Sequence, residues 1–155
     1  MAQNITDIKD YTDIIIRPFV EADYPAVISI WQQVGLPGKP RGRDSKEKIL
    51  HELSNPGTLF LVAEKDGNII GTVLATHDGR KGWINRLTTA PRYQKQGIAT
   101  RLLLEAEDHL CRCGMEIITC LIEEDNPGSM EFFRRKEYVK HTDIIYFSKR
   151  KYPDV

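Results

Sequence analysis

The stretch Thr88-Thr89-Ala90-Pro91-Arg92-Tyr93-Gln94-Lys95-Gln96-Gly97-Ile98-Ala99-Thr100-Arg101 constrains this chain more than any other. It reads as the end of a strand, a basic loop with one glycine, and the start of a helix. Residues 83–87 before it have strand-like content, and a long amphipathic segment follows. The first N–H groups of a helix lack partners within the helix and lie at the positive end of its dipole. Gly97 carries no Cβ to keep a ligand from the backbone, and Lys95 adds mobile charge, so the loop suits a phosphate. An ordinary helix start with one glycine is the competing reading.

At 155 residues the chain fits one domain, expected over 14–149, with 1–13 as a flexible leader and 150–155 as a frayed tail. Ile14-Ile15-Ile16-Arg17 predicts the first strand, ended by Pro18. A helix follows, with Asp23 as N-cap, Pro25 in its first turn and Val27, Ile30, Trp31 and Val34 at helical spacing, stopped by Gly35. The Gly/Pro-rich loop 35–42 precedes a second helix over 45–53. Residues 59–63 and 69–75 flank Asp66-Gly67-Asn68 as a hairpin, and a turn at 78–82 leads into a strand over 83–89. A third helix runs from Gly97 to about Cys113, with Gly114 just past its end. Residues 116–122 then form an apolar strand, which can lie parallel to the strand before the helix. A short helix from Asn126 to about Lys136 and a final hairpin, strands 138–141 and 144–148, complete the chain. The fold class is therefore α/β (α+β): a mixed, mostly antiparallel sheet of about seven strands with a central parallel βαβ pair and about four helices.

Composition excludes several function classes. Hydrophobic content is 41% and charged content 28%, and no apolar run reaches the roughly 20 residues of a membrane helix. No signal peptide is visible, which favours the cytoplasm. Cys111, Cys113 and Cys120 form an odd set read as reduced thiols, and the four histidines lack metal-ligand spacing, so no metal is expected. A net charge of zero argues against a nucleic-acid partner. The charge is unevenly spread, however: residues 79–104 carry six bases and no acid, and 105–125 carry seven acids against Arg112. An anionic ligand at the loop beside a site for a cation would fit this split, as would two solvated faces.

The order β-α-α-β-β-β-α-β-α-β-β, with Gln94-Lys95-Gln96-Gly97-Ile98-Ala99 between the fourth strand and the third helix, resembles the GNAT superfamily of N-acetyltransferases. That family's loop reads Arg or Gln, two residues, Gly, one residue, Gly or Ala. A second motif, Asn126-x-x-Ser129-x-x-Phe132-Phe133-Arg134-Arg135-Lys136-Glu137-Tyr138, is similar to the family's Asn-x-x-Ala-x-x-Phe-Tyr-x-x-x-Gly-Phe. Within the family, the hairpin and turn look most like small bacterial proteins of the YpeA type. The resemblance implies acetyl-CoA as co-substrate and an amine acceptor, small molecule or protein, with a monomer or homodimer. It implies that the backbone of Leu87, Thr88 and Thr89 pairs with the pantetheine arm. The loop that Gln94 opens, through the N–H groups of Lys95, Gln96, Gly97, Ile98, Ala99 and Thr100, would hold the pyrophosphate, and Asn126 would hydrogen-bond the cofactor.

Three positions depart from the pattern. Phe133 stands at the cofactor where the family often has a Tyr that protonates the departing thiolate, and it has no proton to give. A general acid contributes about 10²–10⁴-fold, and water, Tyr138 or Tyr146 are the replacements in view. Glu137 replaces a usual Gly and Thr89 a usual Val. For the base that takes the amine's proton, Glu123 and Glu124 are favoured because paired carboxylates attract an ammonium, with Glu64, His77 and Asp78 as other candidates. A CoA-binding module without catalysis is the alternative function. A different nucleotide-binding protein is a third reading, although neither Gly-x-Gly-x-x-Gly nor a Gly-Lys-Ser/Thr loop is present.

Overall fold

The computed structural model describes residues 13–153 and 155, so positions 1–12 of the expected leader lie outside the described residues. Among the described residues, five strands form one sheet in sequence order: β1 (Ile14–Pro18), β2 (Leu59–Lys65), β3 (Asn68–His77), β4 (Gly82–Thr89) and β5 (Ile118–Thr119). Four α-helices accompany them: α1 (Tyr24–Gln33), α2 (Lys46–Leu53), α3 (Ile98–Arg112) and α4 (Pro127–Arg135). The first three strand pairings are antiparallel and β4 with β5 is parallel, which is the expected mixed class. The β2–β3 hairpin closes through Asp66 and Gly67, at φ 50° and 77°, the left-handed pair that a tight two-residue turn requires.

Alternation along the central strands builds two cores. Phe60 and Val62 of β2 and Leu74 of β3 pack with Val27 and Trp31 of α1 and Ile49 of α2. Their neighbours Leu61, Ala63, Val73 and Ala75 face the other way, onto Ile98, Leu102, Leu103, Ala106 and Leu110 of α3 and Phe133 of α4. Each large α3 side chain in that stripe is at most 1% exposed, worth about 1.5–3 kcal/mol of transfer free energy apiece. The helix lies close on the sheet because a Cβ at Gly82 would meet Leu110 at 2.8 Å. Gly114, at φ 86°, ends α3 as the sequence predicts.

Asp23 occupies the N-cap position of α1, yet its carboxylate does other work. It takes a bidentate pair of hydrogen bonds from Arg17, at 2.8 and 2.9 Å, while Arg17 Nε reaches Glu64 at 2.7 Å. The Arg17 guanidinium holds the Asp23 carboxyl below the usual carboxylate range.

Two expectations need correction. Among the described residues the sheet has five strands rather than about seven, and the strand expected over 116–122 keeps only Ile118 and Thr119 in the ladder. Ile117 and Leu121 are 52% and 62% exposed, so the apolar density of that run does not translate into burial on both faces. The final hairpin does not form: 138–141 and 144–148 carry no strand, and Val139 and residues 144–147 are 68–88% exposed. Apolar alternation is a property of one segment, whereas a strand exists only through hydrogen bonds to a neighbour. Residues 139–151 make no such bond among the described residues.

Candidate active site

The site begins with a bend in β4. Thr72 pairs with Thr88 and Leu74 with Asn85, so Val73 faces two residues, Arg86 and Leu87, in a β-bulge. Arg86 pays for it with a left-handed φ of 53°. A buried relay fixes the bend: Trp31 Nε1 donates to Thr72 Oγ1 at 3.0 Å, and that hydroxyl donates to the Arg86 carbonyl at 2.7 Å. The Arg86 side chain lies 4.5 Å over the Trp31 ring, donates to the Pro37 carbonyl at 3.0 Å, and pairs with Asp44 at 2.6 Å. Asp44 also accepts from the Lys39 N–H at 2.7 Å, so the Gly/Pro-rich loop before α2 is drawn against the bulge. Below the bend, β4 meets β5 only at Gly82 and Trp83; above it the two parallel strands diverge. Leu87, Thr88 and Thr89 thus lie on the stretch of β4 that β5 no longer covers.

The loop follows at once. A single 3-10 turn, Pro91–Tyr93, leads to Gln94, whose Nε2 donates back to the Thr89 carbonyl at 3.1 Å. Lys95 and Gly97 both take left-handed backbone, at φ 59° and 81°, and Gly97 is the N-cap of α3. The first helical bond in α3 is Arg101 N–H to the Gly97 carbonyl, 3.1 Å. Among the described residues, the N–H groups of Lys95, Gln96, Gly97, Ile98, Ala99 and Thr100 therefore donate to no backbone or side-chain acceptor. Six consecutive free donors at a helix N-terminus form a nest for an anion. A Cβ built on Gly97 would meet nothing within 4 Å, so the space over the nest is open. Thr89 adds a buried hydroxyl with no hydrogen-bond partner among the described residues. These observations fit a pyrophosphate-bearing cofactor. The bases are less concentrated than the sequence implies, since Arg86 is held by Asp44 and Arg101 donates to the Ile14 carbonyl at 3.2 Å, on the far edge of the sheet.

The second motif forms α4. Asn126 is its N-cap, with Oδ1 accepting from the Ser129 N–H at 3.1 Å, which leaves the Nδ2 donors for another partner. Phe133 is 7% exposed and belongs to the same core as Leu87 and Ile98, so the two motifs meet there. Its ring stands edge-on to Tyr138, 4.9 Å between centroids. Tyr138 donates its hydroxyl to Glu107 at 2.8 Å, and burial, then Glu107, raise its pKa above the usual phenol value. Tyr146 is 71% exposed and makes no hydrogen bond among the described residues. Glu137 explains the family's usual glycine: at φ 67° it is the left-handed residue of a Schellman ending, with Tyr138 N–H to the Phe133 carbonyl at 3.0 Å. Glu137→Gly is expected to stabilise the fold by about 1 kcal/mol. A urea midpoint that does not rise would contradict the strain argument.

Glu123 and Glu124 lie exposed in the turn between β5 and α4, where the Glu123 carbonyl accepts from the Asn126 N–H at 3.0 Å. Neither side chain makes a hydrogen bond or ion pair among the described residues. The other carboxylate candidates are occupied. Glu64 is held by Arg17, and Asp78 accepts from the Lys81 and Arg80 N–H groups, which keep its carboxyl below the usual range. His77 Nδ1 accepts from the Gly79 N–H at 3.1 Å. Cys120 has its thiol pushed up to about 11 by burial, so it stays protonated near neutral pH. A hollow of about 310 Å³ between α1 and the β2–β3 turn shares no residue with the diverging strands. A smaller one of about 150 Å³ lies between Trp31 and Leu36, Gly38 and Pro40, beside the bulge. Arg86 and Asp44 escape sequence reasoning because they lie 42 positions apart and neither belongs to a motif.

The sheet's parallel pair thus opens beside an amide-lined loop and a helix N-terminus, an arrangement suited to an anionic cofactor. The family model for acetyltransferases of the GNAT family matches residues 24–138. The acetyltransferase plu1384 of Photorhabdus laumondii is 33% identical over 138 residues, covering 87% of this chain and 94% of that protein. The chain belongs to the GNAT acetyltransferase family. PaiA N-acetyltransferase from Thermoplasma acidophilum, solved in complex with coenzyme A, aligns with a TM-score of 0.67 at 27% identity, over 79% of this chain and 87% of its own. An acetyltransferase from Streptococcus agalactiae reaches a TM-score of 0.76 at 14% identity, over 93% and 94% of the two chains, a likeness of fold alone.

Proposed function

We propose that this protein is an acetyl-CoA-dependent N-acetyltransferase that moves an acetyl group to a primary amine by direct attack on the thioester. The observation that carries the reading is the row of six unpaired amides from Lys95 to Thr100 beside the diverging β4 and β5. The coenzyme A complex of the Thermoplasma relative supports it. In this reading the nest holds the pyrophosphate, the main chain of Leu87, Thr88 and Thr89 faces the pantetheine arm, and Asn126 Nδ2 supplies a further donor. Phe133 packs against the apolar part of the cofactor. Acetyl-CoA supplies the activated carbonyl, and N–H donors of β4 stabilise its oxygen as negative charge develops there. An unperturbed amine of pKa about 10.4 is neutral in only about one molecule in 10³ near pH 7. A base at Glu123 or Glu124, both carboxylates open to solvent beside the α4 N-terminus, takes that proton.

A second reading, a CoA-binding module with little catalysis, is favoured by one observation: Phe133 has no proton to give, the Tyr138 hydroxyl is committed to a hydrogen bond with Glu107, and Tyr146 lies in solvent. Water then supplies the proton to the leaving thiolate in the enzyme reading. Thermal denaturation with CoA, acetyl-CoA, ATP and NAD tests the cofactor. A ligand at 100 times its Kd adds about 2.7 kcal/mol, or about 5–10 °C for a chain of this size. Stabilisation by ATP or NAD and not by CoA species overturns the assignment. Release of free thiol across an amine panel then separates enzyme from module, and no turnover with any amine leaves the module.

A further inference from the structure

Among the described residues, two buried side-chain polar atoms lack a hydrogen-bond partner, Arg101 Nη1 and Thr89 Oγ1. Arg101 keeps a bond through its other terminal nitrogen, to the Ile14 carbonyl at 3.2 Å. The Thr89 side chain has none. Thr89 is 6% exposed and stands where the family's pattern has Val, a residue of the same branched shape with no group to leave unpaired. Its surroundings explain the missing partner. In the ladder Thr89 lies directly opposite Gly71, and residues so paired point to the same face. A Cβ at Gly71 would meet Leu102 Cδ1 at 3.1 Å and Ile98 Cγ2 at 3.3 Å, so the first turns of α3 close down on that face. The helix thus covers the hydroxyl with apolar side chains, and the polar groups its start presents, the N–H groups of residues 95–100, are all donors. A hydroxyl proton needs an acceptor, and neither provides one. An anion seated on those amides does.

Resting on the reading of residues 95–100 as the pyrophosphate nest, we propose that the Thr89 hydroxyl is a cofactor-binding group: it donates to a pyrophosphate oxygen of CoA once the nest is filled, and it destabilises the free protein until then. The main chain and the side chain of Thr89 then serve different parts of the cofactor, the pantetheine arm and the pyrophosphate. A hydrogen bond from a hydroxyl to a charged oxygen is stronger than one between neutral groups, and seclusion from water strengthens it further. The same seclusion makes the hydroxyl costly while it has no partner. Valine at this position keeps the shape and deletes the hydroxyl, so it acts in opposite directions on the free and the bound protein. A hydroxyl that merely held the strand end in place would lose stability on that substitution and leave CoA affinity alone.

Two measurements on the full chain test this, a thermal melt without ligand and calorimetric titration with CoA, each made on the wild type, Thr89→Val and Thr89→Ser. Thr89→Val is expected to raise the Tm of the free protein by about 2–4 °C and to weaken CoA binding by about 10–100-fold. Thr89→Ser keeps the hydroxyl and is expected to bind CoA within about threefold of the wild type. Unchanged CoA affinity in Thr89→Val overturns the proposal. An unchanged or lowered Tm of free Thr89→Val overturns it too, since the hydroxyl would then already have a partner, a buried water included. The same holds if Thr89→Ser loses as much affinity as Thr89→Val, because the branched shape would then be what counts. A wild type that binds no CoA sinks the cofactor reading and this assignment with it, whereas equal binding by the wild type and Thr89→Val sinks the assignment alone.

Discussion

Gly97→Val is expected to weaken CoA binding by at least about 100-fold, equivalent to about 2.7 kcal/mol, while the domain stays folded. The two halves of this outcome have separate causes. A valine at φ 81° adopts a backbone that L-residues disfavour, which costs about 1–2 kcal/mol and leaves the helix in place. No atom stands within 4 Å of the new Cβ, so the core does not have to move. The added side chain instead enters the open space in front of the six free amides, where close approach of an anion is needed. Calorimetric titration with CoA, set beside a thermal melt of the same variant, reads both. Retained affinity would place the phosphate site elsewhere; loss of the fold would mean that the α3 start is structural first.

Asp44→Ala is expected to destabilise the protein by about 3 kcal/mol, lowering Tm by about 6–12 °C. The carboxylate ties two segments together: it accepts from Arg86 of β4 at 2.6 Å and from the Lys39 N–H of the loop before α2 at 2.7 Å. Its removal strands a guanidinium only 13% exposed. The estimate sits at the low end for broken buried pairs because Arg86 keeps the Pro37 carbonyl and the Trp31 ring. Asp44→Asn retains an acceptor for Lys39 and should lose roughly half as much. A loss below about 1 kcal/mol for the alanine variant would show the pair to be screened by solvent.

Much of this architecture was legible in the sequence because the signals were local. Helix α3 announces itself by the spacing of Ile98, Leu102, Ala106 and Leu110 and by Gly114 at its end, and the β2–β3 hairpin by Asp66-Gly67 between apolar runs. The loop from Gln94 to Thr100 was legible for the same reason, as a glycine and a base at a strand-to-helix junction. What escaped was non-local. The bulge at Arg86 is held by Thr72, Trp31 and Asp44, residues 14, 55 and 42 positions away, and no pattern within a window reports such a contact. The failed final hairpin has the converse cause: Ile144 to Phe147 look like a strand in isolation, but pairing depends on a neighbour that the segment does not encode.

The nest at the start of α3 is made of main chain, and this decides how the protein tolerates change. Replacing the side chain of Lys95, Gln96, Ala99 or Thr100 leaves every amide donor where it was; only a proline deletes one, and only a Cβ at Gly97 obstructs the approach. The bulge opposite is built from side chains, so single substitutions at Trp31, Asp44, Thr72 or Arg86 reshape it directly. Sequence drift is thus nearly silent on one wall of the cleft and consequential on the other. A lineage carrying this fold can vary the bulge side while its anion nest persists through chains that share few residues.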